Sequence, residues 1–191
     1  MDGKTALVVI DVQRAMFEEE EAPYRSDEML ATISSLLERA RAHNAPVIFI
    51  RHEEDGYAAM QPGHPSFEIH DAVAPLPDEV IFDKKSCDAF CETALGPLLE
   101  HLDVSRIVVA GMQTDLCIDS TCRSAVHRGY DVILAKDGHS TVGNGVISAE
   151  QIVAHHNRTL AGLPRPGFSI VVTPGADIEF PKISAEAALA V

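Results

Sequence analysis

The sequence contains no apolar run long enough to span a bilayer, and Met1 to Thr5 lack the basic start and long apolar stretch of a secretory signal. A cytoplasmic location is the expectation. Basic side chains are scarce: 15 Lys and Arg stand against 29 Asp and Glu, a formal net charge of −14. That balance repels nucleic acid and anionic membrane surfaces, so neither is expected as a partner. Cysteine is sparse as well, limited to Cys87, Cys91, Cys117 and Cys122. A reducing compartment keeps these as thiols, and a chain of 191 residues closes a core without disulfides. The two cysteine pairs fall in stretches that read as helices, at spacings unlike a zinc ribbon or finger, so a structural zinc is not expected. No Gly-x-Gly-x-x-Gly follows the first strand-like run, and no redox cofactor is implied.

What is present reads as one globular unit. Hydrophobic residues make up 46% of the chain, enough to bury a core. Six short β-branched runs recur: Ala6–Ile10, Pro46–Ile50, Glu79–Phe82, Arg106–Ala110, Asp131–Ala135 and Ser169–Val172. Runs that are apolar on both faces indicate strands covered on both sides, as in a parallel sheet. Helical spacing fills most of the gaps. Ser26 or Asp27 caps one helix to about His43, and Asp88 opens another carrying Phe90, Leu95, Leu98 and Leu99. Thr114 or Asp115 caps a third, stopped by Gly129, and Ser148 a fourth, stopped by Gly162. The alternation predicts a three-layer α/β/α sandwich in a single domain over residues 1–191, with 174–191 as a C-terminal tail. Ser184 to Val191 suit a short amphipathic helix or an arm reaching a neighbouring subunit. Arg51 to Pro77 is long, aperiodic and rich in Gly, Pro and His, the kind of loop that carries function.

Ligands in open α/β sheets sit beyond the carboxyl ends of the strands. Three reactive side chains fall there: Asp11 after the first run, Lys84 after the third, and Cys117 in the first helical turn after the fourth. Each also has an ordinary reading, as a loop cap, a solvated lysine and a small core residue. Together they suit nucleophilic catalysis. The helix start and Lys84 would lower the thiol pKa, Asp11 would move the proton, and the Cys117 N–H could face an oxyanion. Phe17 and Tyr57 are candidates to flank the substrate, although either suits ordinary core. Glu18 to Glu21 form an acidic run that is either a solvated loop or a mouth favouring cationic substrates. His155-His156-Asn157 reads as packing or surface residues, because adjacent histidines face different sides of a helix.

These stretches resemble the isochorismatase-like cysteine hydrolases, a family that includes nicotinamidases, carbamoylsarcosine amidase and streptothricin hydrolase. Ala6 to Gln13 with Phe17 is similar to the family's opening strand and catalytic Asp. Lys84-Lys-Ser-Cys-Asp-Ala-Phe90 is similar to its lysine motif, which selects Lys84 over Lys85. Gly111-Met-Gln-Thr-Asp-Leu-Cys117, Ser120 to Ala125, Gly129-Tyr130 and Asp137-Gly-His-Ser-Thr141 are similar to its nucleophile segment and the stretch beyond. The resemblance runs from about Thr5 to Thr173. It implies a six-stranded parallel sheet, a catalytic triad of Asp11, Lys84 and Cys117, and a non-proline cis peptide at Met112–Gln113. That bond would turn the Gln113 N–H toward the Cys117 N–H as an oxyanion hole. It also implies a homodimer or homotetramer.

Two departures narrow the implied activity. Isochorismatases proper cleave a vinyl ether and lack the cysteine, so Cys117 argues for an amide or related acyl substrate. Nicotinamidases hold a metal with an Asp and two His after the second strand. Here Arg51 stands where that Asp is expected, leaving His52 and His64 to combine with Glu53 or Asp55 if a metal binds at all. The simpler expectation is no metal, with His52 lining the substrate pocket and His64 and His70 serving the loop. The reading is a hydrolase cleaving a small-molecule C–N amide or carbamoyl-type bond through a thioester. A metal-assisted nicotinamidase and a non-catalytic scaffold of the same fold are the alternatives.

Overall fold

Strands that are apolar on both faces need a helical layer on each, and the computed structural model supplies both layers. It describes residues 3–18, 21–165 and 167–182. In chain order the elements are β1 (Lys4–Ile10), α1 (Ser26–Ala42), β2 (Val47–His52), β3 (Val80–Lys84), α2 (Leu95–His101), β4 (Val104–Met112), α3 (Asp119–Arg128), β5 (Asp131–Ser140), α4 (Ala149–Leu160), β6 (Pro164–Arg165) and β7 (Phe168–Thr173). The sheet order is β3-β2-β1-β4-β5-β7-β6. The first six of these are parallel, and the two-residue β6 runs antiparallel to β7 at the edge. The six-stranded parallel sheet and the α/β sandwich are therefore as expected.

Alternation along β1 divides the core. Ala6, Val8 and Ile10 pack with Leu95 and Leu99 of α2 and with Cys122, Ala125 and Val126 of α3. Leu7 and Val9 pack on the other face with Met29, Ile33, Leu36 and Leu37 of α1. The helical spacing of those α1 residues is what buries them. Ile178 and Phe180, from the expected tail, are buried on the α1 side as well. Arg39 pins that segment by donating to the carbonyls of Gly175 and Ile178, both at 2.6 Å. Ser184 to Val191 lie outside the described residues.

Several boundaries differ from expectation. The Asp88 helix does not form. Asp88 accepts from the Phe90 N–H at 2.9 Å and Thr93 from the Leu95 N–H at 3.2 Å, so local side-chain bonds replace helical ones until α2 begins at Leu95. The cap of α1 is Arg25, in the left-handed region at φ 49°, and Ser26 is already helical. Ser148 caps α4 in a reciprocal capping box with Gln151. That helix ends at Leu160, before Gly162. β5 runs on to Ser140 after a register shift against β4 between Val109 and Gly111. β3 extends through Lys84, which places that residue inside the strand.

Candidate active site

β1 ends at Ile10, and Asp11 leaves it in the left-handed region at φ 53° with its side chain fully buried. Its N–H still donates to the Ile50 carbonyl at 2.9 Å, which anchors the carboxylate at the strand end. Lys84 closes β3, in register with His52 of β2. β3 lies two strands from β1, so the lysine must reach across the end of β2. Its Nζ donates to Asp11 Oδ2 at 2.7 Å and to Cys117 Sγ at 3.2 Å, and sits 3.1 Å from His52 Nδ1. Cys117 lies in a single π-helical turn, Thr114–Ile118, between β4 and α3. Wide turns of this kind recur where a helix is opened for function. The Gln113 carbonyl accepts from the Leu116 and Ile118 N–H groups at 3.2 and 3.1 Å, which closes the turn around the cysteine. The structure thus brings Asp11, Lys84 and Cys117 together, with His52 as a fourth member.

Burial and one lysine set the charges. Burial raises the Asp11 pKa, while the Lys84 ammonium opposes the rise. Burial also works against the ammonium, but Asp11 and then Cys117 outweigh it and hold Lys84 protonated. His52 is pushed down, first by burial and then by Lys84, so its neutral Nδ1 accepts from the ammonium. The Cys117 thiol moves up, because burial and the adjacent Asp11 charge together exceed the pull of Lys84. That direction is opposite to the low-pKa thiol expected from the helix start and Lys84. Asp11 and Cys117 share one compensating cation, the Lys84 ammonium, which opposes the rise of both. Asp11 Oδ1 is buried with no hydrogen-bond partner among the described residues, leaving an acceptor open to the thiol proton.

The Met112–Gln113 peptide is cis. Phe17 ends a short 3₁₀ turn, Arg14–Phe17, and its ring lies 4.6 Å from that of His70. Tyr57 is exposed on the loop after His52. Glu18 accepts from Ser66 Oγ at 2.6 Å and Glu21 from the Gly143 N–H at 3.3 Å; residues 19 and 20 lie outside the described set.

A metal does not fit this donor set. Asp11, His52 and Cys117 offer ligand atoms within 4.8 Å of one another, but the Lys84 ammonium contacts all three and takes the place of a cation among them. Arg51 is held by Asp83 through two bonds of 2.8 and 3.1 Å and by Glu68 at 2.8 Å. His64 and His70 use Nδ1 to accept from the Ser66 and Ala72 N–H groups, each at 3.2 Å, capping 3₁₀ turns of the loop. Glu53 and Asp55 both pair with Lys85 at 3.0 Å.

Two buried polar groups, Gln13 and His139, lie in stretches that the resemblance covers but were given no role from the sequence. Gln13 donates to the carbonyls of His52 and Phe67 at 3.1 and 2.9 Å and accepts from the His52 N–H at 2.7 Å, so it clamps the end of β2 and holds His52. A polar residue directly after the buried Val12 was the available signal. His139 lies against Thr114 Oγ1 at 2.9 Å and Asn157 Oδ1 at 3.0 Å.

A family model described as the isochorismatase domain matches residues 5–156. Streptothricin hydrolase of Streptomyces noursei is 37% identical over 136 residues, covering 71% of this chain and 54% of its own length. The chain thus spans about half the length of the streptothricin hydrolases it matches. Maleamate amidohydrolase of Pseudomonas putida is 35% identical over 78 residues, 41% of this chain and 37% of that protein. The crystal structure of a cysteine hydrolase from Pseudomonas syringae pv. phaseolicola 1448A superposes with a TM-score of 0.80 at 30% identity, covering 91% of this chain and 90% of that one.

Proposed function

This chain belongs to the isochorismatase family, and from that premise we propose that it hydrolyses a small, non-peptide C–N amide or carbamoyl-type bond with Cys117 as the nucleophile. The observation that carries the reading is the buried Lys84 ammonium, in contact with both the Asp11 carboxylate and the Cys117 sulfur. Relatives named as streptothricin hydrolase and maleamate amidohydrolase support the bond type.

The open Asp11 acceptor within reach of the buried thiol, together with the upward shift of that thiol, supports a concerted order of events. Sulfur attacks the carbonyl carbon as its proton passes to Asp11, so no free thiolate accumulates beforehand. The carbonyl oxygen takes the negative charge, faced by the Gln113 and Cys117 N–H groups. Collapse breaks the C–N bond, and the proton on Asp11 goes to the departing nitrogen. The thioester then meets water. Asp11 accepts the water proton as the new C–O bond forms, the C–S bond breaks, and that proton returns to sulfur. Lys84 keeps Asp11 able to ionise in the dry pocket, and His52, clamped by Gln13, forms part of the substrate wall. The same reading has the enzyme working in the cytoplasm as a homodimer or homotetramer.

The test is a panel of small amides and carbamoyl compounds, scored for ammonia or amine release, with the acyl-enzyme sought by intact mass. Cys117→Ala is expected to lower kcat by roughly 10⁴-fold or more on any compound turned over. Release that survives Cys117→Ala would sink the cysteine mechanism.

A further inference from the structure

We propose that His139 and Asn157 are positioning residues for the nucleophile: through Thr114 they fix the turn that carries Cys117. The consequence for turnover rests on the hydrolase reading; the geometry stands without it.

Thr114 is the first residue of the π turn and is fully buried. Its Oγ1 lies 2.9 Å from His139 Nδ1, and His139 Nε2 lies 3.0 Å from Asn157 Oδ1. Asn157 Nδ2 in turn donates to the Lys136 carbonyl at 3.1 Å. That last bond fixes every direction in the chain. A backbone carbonyl can only accept, so the amide nitrogen must face it and Oδ1 must face the ring. Nε2 therefore carries the ring proton, and a neutral ring has a bare Nδ1 that accepts from the Thr114 hydroxyl. Burial supports the neutral form, holding His139 down at about 4. A second bond from the same stretch of chain, Thr141 Oγ1 to Asp115 Oδ1 at 2.7 Å, ties down the next residue of the turn. The end of β5 thus grips residues 114 and 115, leaving Cys117 to project toward Lys84.

A protonated ring donates from both nitrogens and can no longer accept from Thr114, so the chain holds its direction only while His139 is neutral. The groups that bear on that proton are Asp137 on the same strand and His156 on α4. Arg25, Glu28, Lys136 and Glu150 line the cleft of about 580 Å³ that His139 and Asn157 also border.

The ordinary alternative is a satisfied core histidine with no bearing on the sulfur. The full chain and the variants Thr114→Val, Thr114→Ser and Asn157→Asp separate the two, each checked for an unchanged melting transition. Two readouts are taken across pH: kcat and KM on an amide substrate, and the rate of Cys117 alkylation by iodoacetamide, which needs no substrate. Thr114→Val is expected to cut kcat and the alkylation rate about tenfold or more, with KM held within about twofold, because a small misplacement of a nucleophile is costly. Thr114→Ser, which keeps the hydroxyl, should restore most of both. Asn157→Asp places a carboxylate on the Nε2 proton, which stabilises the charged ring and should move the acid limb of both rates upward by about one pH unit. Wild-type alkylation in Thr114→Val, or an acid limb that stays in place in Asn157→Asp, would overturn the proposal. A wild-type protein that turns over no amide, yet shows these alkylation contrasts, would remove the hydrolase reading and leave the positioning role standing.

Discussion

An ionised side chain loses hydration on burial, so burial raises the pKa of an acid and lowers that of a base. Asp11 and Cys117 move up, and His52 and His139 move down. Lys84 goes against this trend because Asp11, at 2.7 Å, and Cys117 together outweigh its own desolvation. His139 links burial to stability. Its folded pKa of about 4 lies below the ordinary value of 6.5. Above the ordinary value both folded and unfolded chains hold a neutral ring, and pH has no effect through this group. Between the two values the unfolded chain binds a proton that the folded chain refuses, so falling pH favours unfolding. The stabilisation present near neutrality is thus lost as pH drops toward the folded pKa, by about 3 kcal/mol in total. Asp11, shifted upward, contributes with the opposite sign, but it does so equally in a His139 variant. Urea unfolding at neutral and acid pH should show a shallower decline in His139→Gln than in the wild type. Parallel declines would mean that the folded protein takes up the proton.

At the scale of elements, the approach of β1 to β4 is the tightest constraint on the site. Gly111 sits at φ 125°, and a Cβ there would lie 2.0 Å from the Ile10 carbonyl oxygen. Ile10 precedes Asp11 and pairs with Gly111, so any adjustment moves the base against the nucleophile turn. Gly111→Ala should therefore destabilise by about 3 kcal/mol or more and depress activity. Gly145→Ala, at φ 78° with open space around it, should cost only about 1 kcal/mol. Similar losses in the two variants would refute the close-approach argument. The parallel strands were legible in the sequence because residues such as Leu7 and Val8 are apolar on both faces, a pattern set locally. So was the delivery of Asp11, Lys84 and Cys117 to one edge, since strand ends share an edge whatever their order. The Asp88 helix was misread because Asp88 and Thr93 compete for backbone N–H groups over two-residue spans that helical periodicity ignores. The thiol pKa was misread for a different reason. Helix start and lysine were visible in sequence, but the depth of burial and the prior claim of Asp11 on Lys84 depend on chain segments 73 residues apart. Gln13 and His139 also hold partners remote in sequence, at separations of 39 and 25 residues.

For the whole molecule, the dominant long-range term is the net charge of −14. Ion pairs such as Arg41–Glu79 and Arg123–Asp119 engage some carboxylates, but 15 Lys and Arg cannot neutralise 29 acids. The remainder repel one another more strongly in the compact state than in the expanded chain. Added salt screens this repulsion as the Debye length falls from roughly 30 Å at 0.01 M to roughly 10 Å at 0.1 M and shorter beyond. It also weakens the exposed ion pairs, but those are worth only about 0–1 kcal/mol each and several pair with neighbours already close. Repulsion should win. Raising sodium chloride from about 0.01 to 0.5 M near pH 7.5 is expected to stabilise the fold by about 1–2 kcal/mol, or roughly 3–6 °C in Tm. A general effect of salt on water would act at any pH, whereas screening needs a net charge. The rise should accordingly shrink near the isoelectric point of about 4.9, where the net charge vanishes. A Tm that climbs equally at both pH values would assign the effect to hydration, and one that falls with salt at pH about 7.5 would show that the ion pairs, not the surplus of carboxylates, govern the electrostatics of this fold.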